Sequence, residues 1–364
     1  MILHYYYARR FLFFFLTVAG VLTGFQVLID LVEQIRRHGP EVSFGEKLQL
    51  TLLNAPDGIY QILPLIMILA SIALFVSLSR SSELVVTRAA GRPALAALMA
   101  PVAVAALIGV QAVAMGNPIV AATSKRYQDL NELYRSGASS VVSVGRDGLW
   151  LRQGDATGQT VIRASGANSD ATTLYDVTFV TYETGRGPVR RIEAAEASLT
   201  QGAWTLTSAR AWALQSGRSP DETAEDFATI DLPSTLTQEG IRDSFGKPSF
   251  IPVWDLPAFV TQMEEAGFSA RRYAVWFQIE LARPLFLVAM VMIGAAFTMG
   301  HSRFGRTGLM VLLAVMLGFG LYYVRNFAQI LGENGQLDAR FAAWAPAVAS
   351  ILLALGLILH KEDG

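Results

Sequence analysis

Three long apolar runs, a polar stretch from Asn117 to Ala274, and three further apolar runs divide the sequence. A helix needs roughly 20 mostly apolar residues to cross a bilayer, because the lipid offers its backbone no hydrogen-bond partners. Phe11–Ile29, Ile59–Leu78 and Ala94–Met115 meet that length before the polar stretch; Trp276–Met299 and Arg340–Leu359 meet it afterwards. Thr307–Val324 is shorter, but Arg306 and Arg325 flank it and suit snorkelling ends. Charged residues are only 16% of the chain, against about 25% in soluble domains. The expected fold is an α-helical integral membrane protein with six transmembrane helices, three plus three, around an inserted domain. The first run is as long as a full span and no A-x-A-like site follows it, so it reads as a span rather than a signal peptide.

The arginines of the short connections set an orientation. Arg9 and Arg10 precede the first span, Arg80, Arg88 and Arg92 separate the second from the third, Arg303 and Arg306 follow the fourth, and Lys361 follows the sixth. With six spans these all fall on one face, which is therefore expected to be cytoplasmic, with both termini there and the polar middle opposite. Arg36 and Arg37 run against that trend.

The middle region alternates in the manner of strands. The stretches SVVSVGRDGLWLRQGD, TLYDVTFVTYE and RRIEAAEASLTQGAWTLTSARAWAL carry turn signals at Asp147-Gly148 and Gln201-Gly202. Short alternating strands predict an all-β sandwich or jelly-roll. Leu256–Ala266 reads as an amphipathic helix at the interface before the fourth span. The expected domains are residues 1–122, 123–250 and 251–364.

Several chemistries find no support. There is no cysteine, which removes disulfides and thiolate chemistry, and the four histidines His4, His38, His301 and His360 show no metal-ligand spacing. No GxxxxGK[ST] loop occurs, and GRTG at Gly305–Gly308 lacks the lysine. The acids Asp221, Glu222, Glu225 and Asp226 read as a solvated loop. Net charge is −1, which gives no reason to expect nucleic acid. Glu280 and Arg283, three apart on one helix face, read as a self-neutralising structural or subunit-interface pair.

The connection RSSELVVTRAAG between the second and third spans is the most specific segment. Ser81 and Ser82 suit a helix start, Glu83 suits its first turn, and Gly91 and Pro93 stop it. So short a helix is marginal alone and needs something to pack on. It either rests on its own spans or fits the groove of a soluble partner as a plug.

That segment resembles the coupling helix of the LptF/LptG permease family of the lipopolysaccharide export ABC transporter. The three-plus-three spans around a large β domain are similar along the whole chain, and LIDLVEQIRRHG and DGLWLRQGD are closest to the LptG branch. The resemblance implies a permease subunit that extracts lipopolysaccharide from the outer leaflet of a Gram-negative inner membrane and passes it to a periplasmic bridge. It implies an LptF-like permease, an LptB-like ATPase dimer and an LptC-like periplasmic protein as partners. ATP and Mg²⁺ would sit in the ATPase, leaving this chain without cofactor or catalytic residue. Residues 81–91 would be the coupling helix, with Ser82, Glu83, Leu84, Val85, Arg88 and Gly91 at the ATPase. Arg36, Arg37, Lys125 and Arg126 would meet lipid phosphates, although Arg36 and Arg37 could equally snorkel or pair with Glu33. Phe25, Leu28, Leu65, Phe319 and Tyr322 would wall an acyl cavity. Two rival readings are a membrane-anchored periplasmic binding or scaffold protein, and a membrane enzyme acting on lipid or glycan, for which no nucleophile or metal set is visible.

Overall fold

A computed structural model describes residues 2–89, 94–136, 143–145, 148–154, 158–168, 172–183, 186–200, 202–214, 223–234, 247–265, 269–299 and 307–363. Two compact units emerge: Met1–Arg135 with Ser249–Trp254 and Ala274–Gly364, and Ser136–Pro248 with Asp255–Tyr273.

The helical unit carries α1 (Ile2–Arg37), α2 (Phe44–Arg80), the short α3 (Glu83–Ala89) and α4 (Ala94–Gln111), which runs through a π-turn at Ala112–Gly116 into α5 (Asn117–Ser136). After the β domain come α6 (Leu256–Glu265), which lies in the second unit, then α7 (Arg271–Thr298), α8 (Thr307–Glu333) and α9 (Ala339–Asp363). Six helices among the described residues are long and apolar enough to cross a membrane: α1, α2, α4 continuing into α5, α7, α8 and α9. All six expected spans are present, and most extend beyond the apolar runs. A capping box closes the start of α2: Ser43 Oγ accepts from Glu46 N, and Glu46 Oε2 accepts from Ser43 N at 2.7 Å.

Helices α2 and α7 form the centre, with most of their apolar residues buried, whereas those of α1 and α8 are largely uncovered. Ile66, Met67, Leu74, Phe75 and Leu78 of α2 share one core with Leu287, Val291 and Ile293 of α7. Small residues permit the close approach. A Cβ on Gly294 would meet Ser71 Cβ at 2.9 Å, and one on Gly109 would meet Pro284 Cα at 2.7 Å. Ser71 Oγ also donates across that contact to Val291 O at 2.7 Å. Helices α1 and α8 both pack on α2 and turn large apolar side chains outward.

The second unit holds one seven-stranded antiparallel sheet in sequential order: β1 (Ser143–Gly145), β2 (Gly148–Gly154), β3 (Gly158–Ala167), β4 (Thr173–Glu183), β5 (Gly187–Thr200), β6 (Ala203–Ala213) and β7 (Glu225–Pro233). The inserted domain is thus all-β as expected. Its described strands connect as a meander, without the crossing connections of a jelly-roll. A buried row crosses five strands through the register Leu151, Ile162, Phe179, Ile192 and Ala211.

In β4, β5 and β6 the alternation slips by one, with Leu174 and Val177, Ala194 and Ala197, and Leu206 and Ala209 all buried. Asp176 and Ser208, in the intervening positions of β4 and β6, have φ of 48° and 54°, and such positive φ breaks the pleat. The acidic stretch is corrected in part. Glu225 and Asp226 open β7, where Asp226 takes a two-point hydrogen bond from Arg210 (2.6 and 2.9 Å), while Asp221 and Glu222 lie outside the described residues. The other half of the sheet's last pairing is carried by β6, which also met its expected hairpin: Thr200 pairs Ala203 around Gly202, whose φ is 83°.

Candidate functional site

Three groups of residues in the helical unit bear on function, the first around α3. The chain leaves α2 when Ser81 N closes on Ser77 O at 3.0 Å, then turns through Ser82 at φ 59°. Ser82 O accepts from Val85 N and Val86 N, so α3 begins at Glu83. Leu84 is only 5% exposed and joins the core of the spans. The apolar surface that α3 presents outward is instead Val85 and Val86, 42% and 68% exposed.

Glu83 faces α1. Its Oε1 accepts from Arg10 Nη1 at 2.7 Å and from Ser81 Oγ at 2.6 Å, and its Oε2 accepts from Tyr6 OH at 3.0 Å. Arg10 reaches Ser77 of α2 with its other terminal nitrogen at 2.9 Å. One turn along α3, the buried Thr87 hydroxyl meets Tyr7 OH at 2.8 Å. Burial pushes the Glu83 carboxyl up, but hydrogen bonds from Ser81, Arg10 and Tyr6 outweigh it and hold the group below the usual carboxylate range. The resemblance implied that Glu83 and Leu84 meet a partner; the structure turns both toward the chain's own spans, the other reading of so short a helix. The side chain of Arg88, and Gly91 altogether, lie outside the described residues.

The second group lies where α1 ends. Arg36 and Arg37 share Glu33, at 2.7 and 2.6 Å, and remain largely open to solvent. Gln34 Nε2 donates to Tyr127 OH at 3.0 Å, which brings the exposed Lys125 and Arg126 of α5 to the same end of the unit. Arg36, Arg37, Lys125 and Arg126 thus gather at an end where basic residues also complement the α1 dipole. Of the expected acyl wall, Phe25 and Leu28 on α1 and Phe319 on α8 project outward, whereas Leu65 and Tyr322 pack against the core.

The third group is interior. Arg283 grips Glu280 with Nη2 to Oε1 at 2.6 Å and Nε to Oε2 at 3.0 Å, a two-point form of the self-neutralising pair expected of their spacing. Glu280 is fully buried. Tyr60 of α2 completes the set: its hydroxyl donates to Glu280 Oε2, and the Arg283 guanidinium lies 4.0 Å from its ring centroid. Tyr60 carries no sequence signal for this role beyond its place in an apolar run. Arg325, read from the sequence as a snorkelling span end, lies inside α8, which continues to Glu333. It lines a cavity of about 190 Å³ together with Arg283 and Trp276. No group of three or more His, Asp or Glu residues suited to a metal occurs among the described residues.

Comparison with known proteins agrees with this architecture. None of the curated proteins compared matches the chain. The family of the lipopolysaccharide export system permease LptF/LptG matches residues 5–360. Six spans, an all-β insertion and a match over almost the entire length make one conclusion: this chain belongs to the LptF/LptG permease family of lipopolysaccharide export.

Proposed function

We propose that this chain is the LptG-type permease subunit of an ATP-driven lipopolysaccharide exporter, pairing with an LptF-like subunit and taking its energy from an LptB-like ATPase dimer that binds ATP and Mg²⁺. The observation that carries this reading is α3: a helix too short to stand alone, held by Arg10, Tyr6 and Tyr7 of α1, with Val85 and Val86 left uncovered. A helix so braced moves with α1 as one body. The ATPase docks on Val85 and Val86 from the cytoplasmic side, and Glu83 transmits the movement into α1. The β domain then lies in the periplasm and hands lipid to an LptC-like protein.

The outward apolar faces of α1 and α8 suit both the second permease subunit and acyl chains, with Phe25, Leu28 and Phe319 at the wall. Arg36, Arg37, Lys125 and Arg126 meet the phosphates, for which guanidinium forks provide paired donors. The test is copurification of the ATPase and ATP-dependent release of lipid from membranes. Val86→Asp should insert normally yet lose both. An ATPase that stays bound at wild-type level, with undiminished release, would remove α3 as its docking site.

A further inference from the structure

The third span, α4 continuing into α5, changes its helical register at the π-turn. Asn117 N donates to Ala112 O, five residues back, which closes the turn at Ala112–Gly116. Pro118 follows, and its ring nitrogen carries no hydrogen, so Ala114 O lacks the donor that a regular helix supplies four residues on. A donor comes instead from far along the chain: Trp254 Nε1 donates to Ala114 O at 3.2 Å. The buried Asn117 turns its side-chain oxygen to the same segment and accepts from Val253 N at 2.7 Å. Val253 is fully buried, whereas Trp254 is 60% exposed, so the indole is held by its hydrogen bond more than by packing.

A helix bends most readily where its hydrogen-bond ladder is broken, and π-turns and prolines are the usual places. The strap Ser249–Trp254 belongs to the helical unit, but the chain on either side of it, up to Pro248 and from Asp255, belongs to the second unit. Whatever moves the anchor of the strap therefore draws on the second unit through two covalent connections. We propose that the π-turn is a hinge in the third span and that Trp254 is the positioning residue that latches this hinge to the strap, so that bending of the span and displacement of the strap are one event. The hinge and its latch lie within this chain and need neither the ATPase nor lipid, so they stand or fall apart from the transport reading.

The experiment follows backbone amide hydrogen exchange in the full chain, with the subunits that accompany it, in an uncharged maltoside detergent and without nucleotide. Each variant alters one side of the latch and is read on the other. Trp254→Phe keeps an aromatic ring but removes the N–H. Exchange across Ala112–Asn117 should then rise about two- to tenfold, the effect of one lost hydrogen bond, while exchange across Ile279–Ile293 of α7 stays unchanged. Pro118→Ala supplies the missing N–H, which competes with the indole for Ala114 O. The Val253 amide should then exchange about twofold faster or more, although no atom of the strap has been altered. A strap that merely packs on the spans would respond to Trp254→Phe only within itself and would not respond to Pro118→Ala. Unchanged exchange across the π-turn in Trp254→Phe, or at Val253 in Pro118→Ala, overturns the proposal, and either variant suffices if the other fails to purify. Both outcomes leave the transport reading to its own test, the copurification of the ATPase.

Discussion

Arg10 of α1 and Glu83 of α3, 73 positions apart, meet at 2.7 Å. Tyr6 and Ser81 bind the same carboxylate, so the start of α1, the end of α2 and the start of α3 form one hydrogen-bonded node. This relationship turns Glu83 from a surface contact into a strut.

The charge swap separates those two roles. Glu83→Arg alone should uncouple lipid release, and Arg10→Glu alone should do the same. The double variant Arg10→Glu with Glu83→Arg should recover a large part of release, because the strut is rebuilt with its sign reversed. A pairing so partly exposed is worth only about 0.5–1 kcal/mol of coupling in a double-mutant cycle. If the double variant is as defective as Glu83→Arg, Glu83 acts on the ATPase itself. The node also has a pH signature. The Glu83 carboxyl is held low in the folded state, so its contribution is complete above the unfolded glutamate value of about 4.3 and is lost as pH falls through the lower folded value. The melting difference between wild type and Glu83→Gln should therefore shrink on acidification and not on alkalinisation.

The Glu280 and Arg283 pair should behave as a buried unit. Arg283→Met leaves a fully buried carboxylate bound only by Tyr60, and the cost of breaking such a pair is about 3–5 kcal/mol, read as a lower melting temperature in detergent. Glu280→Leu together with Arg283→Met should be markedly less damaging than Arg283→Met alone. Additive losses would show that the two side chains do not act as a pair.

The basic end of α1 tests lipid contact. Arg36→Glu with Arg37→Glu should reduce photocrosslinking of lipopolysaccharide while leaving subunit assembly intact, because both side chains are largely open to solvent and each pairs with Glu33 on its own helix. Undiminished crosslinking would assign them to snorkelling and to Glu33 alone.

Orientation is testable cleanly because the sequence has no cysteine. Thr200→Cys in the β domain and Ala89→Cys at the end of α3 are both on exposed positions. An impermeant thiol reagent applied from the periplasmic side should label the first and spare the second. The reverse pattern would invert the topology and remove the export mechanism proposed above.

The six spans, the all-β insertion and the existence of α3 were legible in the sequence, because hydropathy over 20 residues, period-two alternation and helix-stop residues are local properties. That Glu280 and Arg283 neutralise each other was legible for the same reason, being set by three positions on one helix; the two-point geometry was not. Tertiary structure alone decided which side of α3 is buried: Leu84 and Val85 are neighbours of similar character, and only the packing of α3 on the spans sends one inward and leaves the other out. It alone gave Glu83 its partner 73 residues away, drew Tyr60 onto Glu280, and carried α8 past Val324 so that Arg325 lines a cavity. Strands β3 and β7 also escaped the sequence reading, since their polar and small residues gain strand character from neighbours in the sheet. Each of these depends on contacts between segments distant in the chain; among the spans, small residues such as Gly109 and Gly294 let the helices approach closely.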